Sequence, residues 1–199
     1  MEMRDSALNK LQMLLKRPSF TAAQARAASV SPSLLAYYVK KGKIENLSRG
    51  VYRGVESERK EIPFEWEDLI STAESIPNGK ICLISALALY ELTDEIPRQF
   101  WIAIPHKQFA PRRPKTKIIR MRDVRTGTTR LKLGAVAVRI FDKERTIVDS
   151  FRFLAPETAI KALKEYLSGK HGKANLIKLR QYSRKLKVPI EKYVEAFTT

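Results

Sequence analysis

The chain has 199 residues, which is enough for two small domains, each with its own core. It carries 38 lysine and arginine residues against 21 aspartate and glutamate residues, a net charge of +17. That excess favours a polyanionic partner, although solubility explains part of it. No run approaches the roughly 18 apolar residues that a membrane span needs, and the N-terminus lacks the apolar core of a signal peptide. The single cysteine, Cys82, excludes an internal disulfide, so we expect a cytoplasmic protein.

The first 30 residues predict two helices. Asp5 to Lys16 places leucines on one helical face, and Pro18 follows it as a stop. Thr21, with Gln24 three residues later, begins a short alanine-rich helix that runs to Ala28. A brief connection then leads into the next helix start.

Residues 31–53 contain the most informative pattern. Ser31 followed by Pro32 is typical of a helix start, and Gly42 is placed to end that helix in a left-handed conformation. Two short strands are predicted next, Ile44 to Leu47 and Val51 to Arg53, around the tight basic turn Ser48-Arg49-Gly50.

Helix, turn, helix and basic hairpin in this order indicate a winged helix-turn-helix. Such a unit lays its second helix in the major groove of double-stranded DNA and its wing along a phosphate backbone. The alternative is a small helical domain with an ordinary hairpin and a solvated face. Residues 1–53 hold ten basic and three acidic side chains, which favours the DNA-binding interpretation. The predicted DNA-binding residues are Thr21, Gln24, Ser31, Ser33, Tyr37, Lys40, Lys41, Lys43, Arg49 and Arg53.

Within that set we expect two roles. Ser31, Ser33 and Tyr37 would face the groove, where base edges are read. The basic members would neutralise phosphates, namely Lys40, Lys41, Lys43, Arg49 and Arg53.

The chain then changes character. Residues 54–63 are polar and without periodicity, and we interpret them as a linker between a DNA-binding domain at 1–55 and a second domain at 64–199. The second domain is predicted to begin with an acidic helix and to contain a mixed or antiparallel sheet over residues 80–141. The predicted strands are Phe100 to Ile104, Lys117 to Arg122, Thr129 to Leu133 and Ala135 to Phe141.

Helices complete the predicted second domain. Asp142 caps the first of them, and Pro156 to Leu167, Ala174 to Leu186 and Pro189 to Phe197 follow. The fold class is therefore α+β: a winged helix-turn-helix followed by a mixed α+β domain with a small sheet and C-terminal helices.

The sequence resembles a known family. TAAQARAASVSPSLLAYYVKKGKIENLSRGVYR, residues 21–53, looks like the winged-helix domain of AbiEi-type antitoxins, regulators of abortive-infection toxin–antitoxin pairs. Later blocks strengthen the likeness: ISALALYELTDEIP at 84–97, FWIAIP at 100–105, RRP at 112–114 and FDKERTIVD at 141–149. Members of that family often carry a His-Gly pair where this chain has Tyr90-Glu91.

The resemblance implies a function. It implies a DNA-binding N-terminal domain that represses a shared promoter, at an operator that we expect to contain inverted repeats. It also implies a C-terminal domain that counters a neighbouring toxin resembling nucleotidyltransferases, whether or not the two proteins touch.

A second basic cluster lies in a proline-flanked loop at residues 107–117. We interpret it as a possible antitoxin or nucleic-acid surface, carried by Arg112, Arg113, Lys115 and Lys117.

Catalytic alternatives are few. Asp142, Glu144 and Asp149 beside Lys143 could hold Mg²⁺ in a nuclease-like domain, but Asp142 is explained as a helix cap and Arg145 can pair with either aspartate. His106 and His171 stand far apart without a companion cysteine, so no zinc site is expected. We therefore expect a non-enzymatic protein without metal or cofactor. A third interpretation is a promoter-binding regulator that has no toxin partner.

Overall fold

The computed structural model describes residues 2–17, 19–55, 64–134 and 136–198. The chain divides into two compact units. The first comprises Met1–Pro77, Pro111–Pro114 and Lys132–Val138, and the second comprises Asn78–Ala110, Lys115–Leu131 and Arg139–Thr199. Most of the linker predicted at 54–63 lies outside the described residues, so the domain boundaries at 55 and 64 stay a prediction.

The described residues between 2 and 77 form four helices and a three-stranded sheet. The sheet order is β1-β3-β2, with β3 pairing antiparallel to both neighbours. The elements are α1 (Glu2–Leu15), β1 (Phe20–Thr21), α2 (Ala22–Ala27), α3 (Pro32–Lys40), β2 (Ile44–Ser48), β3 (Val51–Gly54) and α4 (Phe64–Ser75). This arrangement confirms the winged helix-turn-helix.

Local signals explain where α3 begins and ends. The Ser31 hydroxyl accepts a hydrogen bond from the backbone N–H of Leu34 at 3.3 Å, and Pro32 occupies the first turn. Beyond the last turn Gly42 adopts a φ of +65°, in the left-handed region that favours glycine. The start and the end of this helix were both predicted from sequence.

Apolar side chains from every element of the winged helix meet in one core. Leu35 and Tyr38 are the buried residues of α3, and the Phe20 ring stacks on Tyr52 with centroids 5.9 Å apart. The buried members of this core are Leu11, Phe20, Ala25, Val30, Leu35, Tyr38 and Ile44. Burial of these residues fixes which face of α3 remains exposed.

Helix α4 is grouped with the first unit. The Ser19 hydroxyl donates to the backbone carbonyl of Ser71 at 2.9 Å, and Leu69 and Ile70 are buried. Its first turn carries Glu65 and Glu67, where the helix dipole favours carboxylates.

In the described part of the chain, the second unit holds five helices and most of a five-stranded sheet, of which residues 132–138 are grouped with the first unit. The five-stranded sheet has the order β6-β5-β4-β8-β7; β4 runs antiparallel to β5, and the pairs β4–β8 and β5–β6 are parallel. The elements are β4 (Lys80–Ile81), α5 (Leu83–Leu89), β5 (Phe100–Pro105), β6 (Thr116–Met121), β7 (Thr128–Leu133), β8 (Val136–Phe141), α6 (Lys143–Phe153), α7 (Pro156–Leu167), α8 (Leu176–Leu186) and α9 (Glu191–Thr198). The sheet is mixed, and the predicted α+β fold class is confirmed.

Helix α6 is central to the packing of the second unit. Ile147 and Val148 from α6 are completely buried among side chains of α5, α7, α8 and α9. On the sheet side a smaller cluster holds Cys82, Ala103 and Phe141. Burial raises the pKa of the Cys82 thiol well above its usual range, which keeps the thiol protonated and unreactive.

Candidate nucleic-acid interface

One face of α3 is exposed along its whole length. Ser33, Ala36 and Lys40 are exposed and lie three to four residues apart, so they share a side of the helix. The half-buried Tyr37 flanks this line, and its ring packs edge-on against Tyr38 with centroids 5.6 Å apart. Sequence reasoning missed Ala36, whose methyl group sits in the middle of the line. Its spacing, three residues after Ser33 and four before Lys40, places it on the same helical face and could have identified it from the sequence.

The two predicted serines of this face differ in what their hydroxyls do. Ser31 caps α3, and its hydroxyl also lies 2.9 Å from that of Ser33. Both residues are exposed. A hydroxyl has one donor and two acceptor positions, so Ser33 keeps hydrogen-bonding capacity for a ligand while Ser31 is engaged in holding the helix start.

Thr21 and Gln24 form a complete capping box at the start of α2. The backbone N–H of Gln24 donates to the Thr21 hydroxyl at 3.2 Å, and the Thr21 backbone N–H donates to the Gln24 amide oxygen at 2.6 Å. Both side chains are half-buried. Their geometry supports a role in positioning α2.

Three exposed lysines lie at the end of α3 and just after it. Lys40 is in the last turn of the helix, and Lys41 and Lys43 follow it. The Lys41 ammonium lies 6.0 Å from the centroid of the Tyr37 ring. Among the described residues no carboxylate lies within salt-bridge distance of any of the three. Their charges are available to an anionic ligand.

The turn of the wing presents one exposed arginine. Arg49 and Gly50 form the turn between β2 and β3, with Gly50 at a φ of +73°. The backbone N–H of Ala22 donates to the carbonyl of Gly50 at 2.9 Å and ties the turn to the start of α2. Arg49 is therefore exposed on an anchored turn.

Arg53 is engaged by carboxylates of the first unit. Its guanidinium donates to Glu45 at 2.8 Å and makes a short ion pair with Glu67, and only 14% of the side chain is exposed. Two carboxylates already compensate this charge. The phosphate contact of Arg53 stays a prediction, and the two ion pairs give this side chain a structural role in the first unit.

The predicted basic loop does not form a single cluster of equivalent charges. Arg113 donates to the Ser75 hydroxyl at 2.9 Å and to the Ser75 carbonyl at 3.4 Å, and burial lowers its pKa. Arg112 and Lys115 are exposed. The Lys117 ammonium lies 3.8 Å from the centroid of the Trp101 ring. Arg113 thus has a structural engagement, and the other three remain exposed.

The carboxylates considered for Mg²⁺ are occupied by cations of the chain itself. The Lys178 ammonium lies 2.9 Å from Asp142 and 3.2 Å from Glu144. Burial lowers the pKa of Lys178, but the hydrogen bonds and charges of the two carboxylates raise it by more, so the ammonium stays protonated. The Tyr166 hydroxyl also donates to Glu144 at 2.8 Å.

Asp149 faces a different partner, on the buried side of α6. Arg145 donates to Asp149 at 2.7 Å, and both side chains are 2% exposed. The pair was predicted, but its burial was not. Within the described part of the chain no group of three or more His, Cys, Asp or Glu side chains is arranged to hold a metal ion.

Arg145 also fixes the loop between β6 and β7. Its guanidinium donates to the carbonyls of Thr126 at 3.0 Å and Asp123 at 2.9 Å. Gly127 approaches so closely that a Cβ there would lie 2.5 Å from the Cβ of Arg145. The FDKERTIVD block is thus explained by packing and hydrogen bonding.

Tyr90 and Glu91 lie at the end of α5. The Tyr90 hydroxyl donates to the carbonyl of Phe141 at 3.0 Å. Glu91 has a φ of +57°, in the left-handed region that glycine adopts with the least steric cost. Its carboxylate lies 3.0 Å from Nδ1 of His171, at an open groove of about 810 Å³ lined by side chains of both charges.

These features define the first unit as a winged helix-turn-helix with an exposed, cationic α3 and wing. Residues 9–53 match the family described as "Transcriptional regulator, AbiEi antitoxin". The match covers the segment that holds α2, α3 and the wing, and it confirms the resemblance over that segment. Comparison with curated proteins gives no match. Among the described helices, none has the length and apolar character to cross a membrane.

Proposed function

We propose that this protein is a DNA-binding antitoxin that represses its own promoter and counteracts a nucleotidyltransferase-like toxin. The observation that carries the proposal is the exposed face of α3, followed by lysines that no described carboxylate pairs with, inside the segment that matches a family of regulators. The promoter sits in the cytoplasm, which is where we place the protein.

In the proposed complex α3 enters the major groove. Ser33 and Tyr37 reach base edges, and the methyl group of Ala36 can contact a thymine methyl. Lys40, Lys41 and Lys43 lie toward the backbone at the C-terminal end of α3. Arg49, at the tip of the wing, contacts an adjacent phosphate. We expect an operator with inverted repeats.

The test compares two arginines that sequence alone does not distinguish. Binding of the purified chain to duplex DNA from its own upstream region is measured by fluorescence anisotropy at several salt concentrations. Arg49→Ala removes one phosphate contact and should lower the salt slope by about 0.9. Arg53→Ala should leave that slope unchanged and lower the free energy of unfolding, because Arg53 holds Glu45 and Glu67 together.

The opposite pattern, a changed slope in Arg53→Ala and none in Arg49→Ala, would refute the proposed orientation of the wing. Tyr37→Ala should weaken binding to the upstream duplex more than binding to random duplex, because it removes a contact to bases.

The antitoxin role is tested by growth. Expression of the adjacent reading frame should arrest growth, and co-expression of this chain should restore it. The second candidate is a plain regulator without a toxin, which is favoured by the limits of the match, since residues 9–53 hold only the winged helix. Operator binding without any toxic neighbour would establish that candidate.

A further inference from the structure

A large aromatic side chain is exposed in the second unit. Phe109 is 84% exposed, although phenylalanine is normally buried. It follows β5, in a segment whose exposed residues include Lys107. Single exposed apolar residues are common on protein surfaces. The residues around Phe109 therefore decide whether its ring belongs to a binding site.

The turn that leads into Phe109 is anchored by hydrogen bonds. The backbone N–H of His106 donates to the carbonyl of Met121 at 2.9 Å, and that of Gln108 donates to the carbonyl of Pro105 at 3.0 Å. The Asn78 side chain donates to the Gln108 side chain at 3.1 Å. The exposed ring therefore follows a turn that is ordered by hydrogen bonds.

An exposed arginine is fixed beside this turn. Arg120, from the sheet-edge strand β6, donates to the carbonyl of Gln108 at 3.0 Å, which places its guanidinium one residue from Phe109. Arg122 is exposed two positions further along. We call Lys107, Phe109, Arg120 and Arg122 the Phe109 patch.

The charge around the Phe109 patch has one sign. Between Glu95 and Asp142 the sequence holds twelve basic side chains and one acidic side chain, Asp123. Asp123 is engaged within its own loop: the Thr126 hydroxyl donates to it at 2.6 Å. Burial raises the pKa of Asp123, but the hydrogen bonds from Thr126 and Arg125 lower it by more. The net result is a pKa of about 2. Among the described residues no carboxylate pairs with the cations of the patch.

We propose that the Phe109 patch binds single-stranded nucleic acid, with an unpaired base stacked on the Phe109 ring and the flanking cations on the backbone phosphates. An exposed ring between cations is the combination with which proteins bind single strands. Duplex bases present only their edges in the grooves, so the face of a base reaches the ring only when it is unstacked. The carboxylates of an acidic polypeptide would neutralise the cations but would not supply a planar ring to stack on Phe109.

Binding is measured on the full chain with a fluorescently labelled oligo(dT) of about 15 nucleotides, a length that spans a typical single-strand site. A matching oligo(U) distinguishes DNA from RNA. Phe109→Ala should weaken binding to the single strand about tenfold, the loss expected for one stacked base. Binding to the upstream duplex should stay unchanged, so failure here is distinguishable from failure of the proposed repressor function.

Two further variants separate stacking from general loss of apolar surface. Phe109→Trp should restore affinity, and its fluorescence should be quenched by the oligonucleotide beyond any quenching of Trp66 and Trp101 in the unaltered chain. Ile96→Ala removes a side chain that is 89% exposed in the same unit and should have no effect.

A third variant tests the phosphate contacts. Lys107→Ala should lower the salt slope of single-strand binding by about 0.7.

Three outcomes would overturn the proposal. Phe109→Ala could bind oligo(dT) as well as the unaltered chain does. The variant could lose single-strand and duplex binding equally, which would assign the ring to the duplex. Poly-glutamate could compete as effectively as oligo(dT) at equal charge, which would reduce the patch to an electrostatic surface for acidic polypeptides.

Discussion

The face of α3 and the start of α6 are both dense in charge, yet they differ in where the charges are compensated. On α3 and just after it, Lys40, Lys41 and Lys43 are exposed, and no described carboxylate pairs with them. At the start of α6 the carboxylates of Asp142 and Glu144 already share Lys178. Charge density in the sequence therefore does not identify a site. Charge that no described partner compensates is what the proposed DNA interface rests on.

The strongest test of this comparison is the buried pair on α6. Arg145→Met alone leaves Asp149 buried without its partner and should cost about 3–5 kcal/mol in free energy of unfolding. The double variant Arg145→Met, Asp149→Leu should recover part of that loss, because it leaves no unpaired buried charge on this helix. Urea denaturation followed by circular dichroism measures both.

Lys161→Met is the matched control, since it breaks the exposed pair with Glu157 and should leave stability unchanged. A cost for Arg145→Met as small as that of the control would mean that Arg145 does not organise the second unit.

The next largest effect concerns the loop that Arg145 holds. Gly127→Ala should cost about 2–3 kcal/mol, because it adds a clash with Arg145 to the strain of a φ of +71°. Gly169→Ala is the control: its φ is +76°, but nothing lies within 4 Å of the added Cβ, so it should cost about 1 kcal/mol. Thermal unfolding of the two variants separates clash from backbone strain. Equal losses would show that the loop gives way without cost.

The smallest expected effects on stability concern the two serines at the start of α3. Ser31→Ala removes the helix cap and should cost about 1 kcal/mol of stability. Ser33→Ala should leave stability nearly unchanged and weaken binding to the operator more than to random duplex. Denaturation and anisotropy on the same preparations give both quantities. If Ser33→Ala affects all duplexes alike, Ser33 does not read bases.

Much of the fold could be predicted because helix ends are determined locally. Ser31 and Asp142 were both expected to cap helices, and both accept the predicted backbone hydrogen bond. Such a cap depends on residues three positions away, which the sequence shows directly.

The rest depends on partners distant in the chain. The two-residue strand Lys80–Ile81 gives no periodic signal, yet it pairs with both β5 and β8. The ion pair of Arg53 with Glu67, fourteen residues later in the chain, has no local signal in the sequence. The burial of Arg145 likewise requires the loop from Asp123 to Gly127.

The hydrogen bond from Ala22 to Gly50 has a consequence for motion. Amide protons in the first turn of a helix usually lack a partner and exchange rapidly with solvent. The amide of Ala22, the first residue of α2, is instead covered by the tip of the wing. Its deuterium exchange rate thus reports how often the wing detaches from the helices. The exchange rate of this one amide can therefore be used to compare the opening of the wing in the free protein and on DNA.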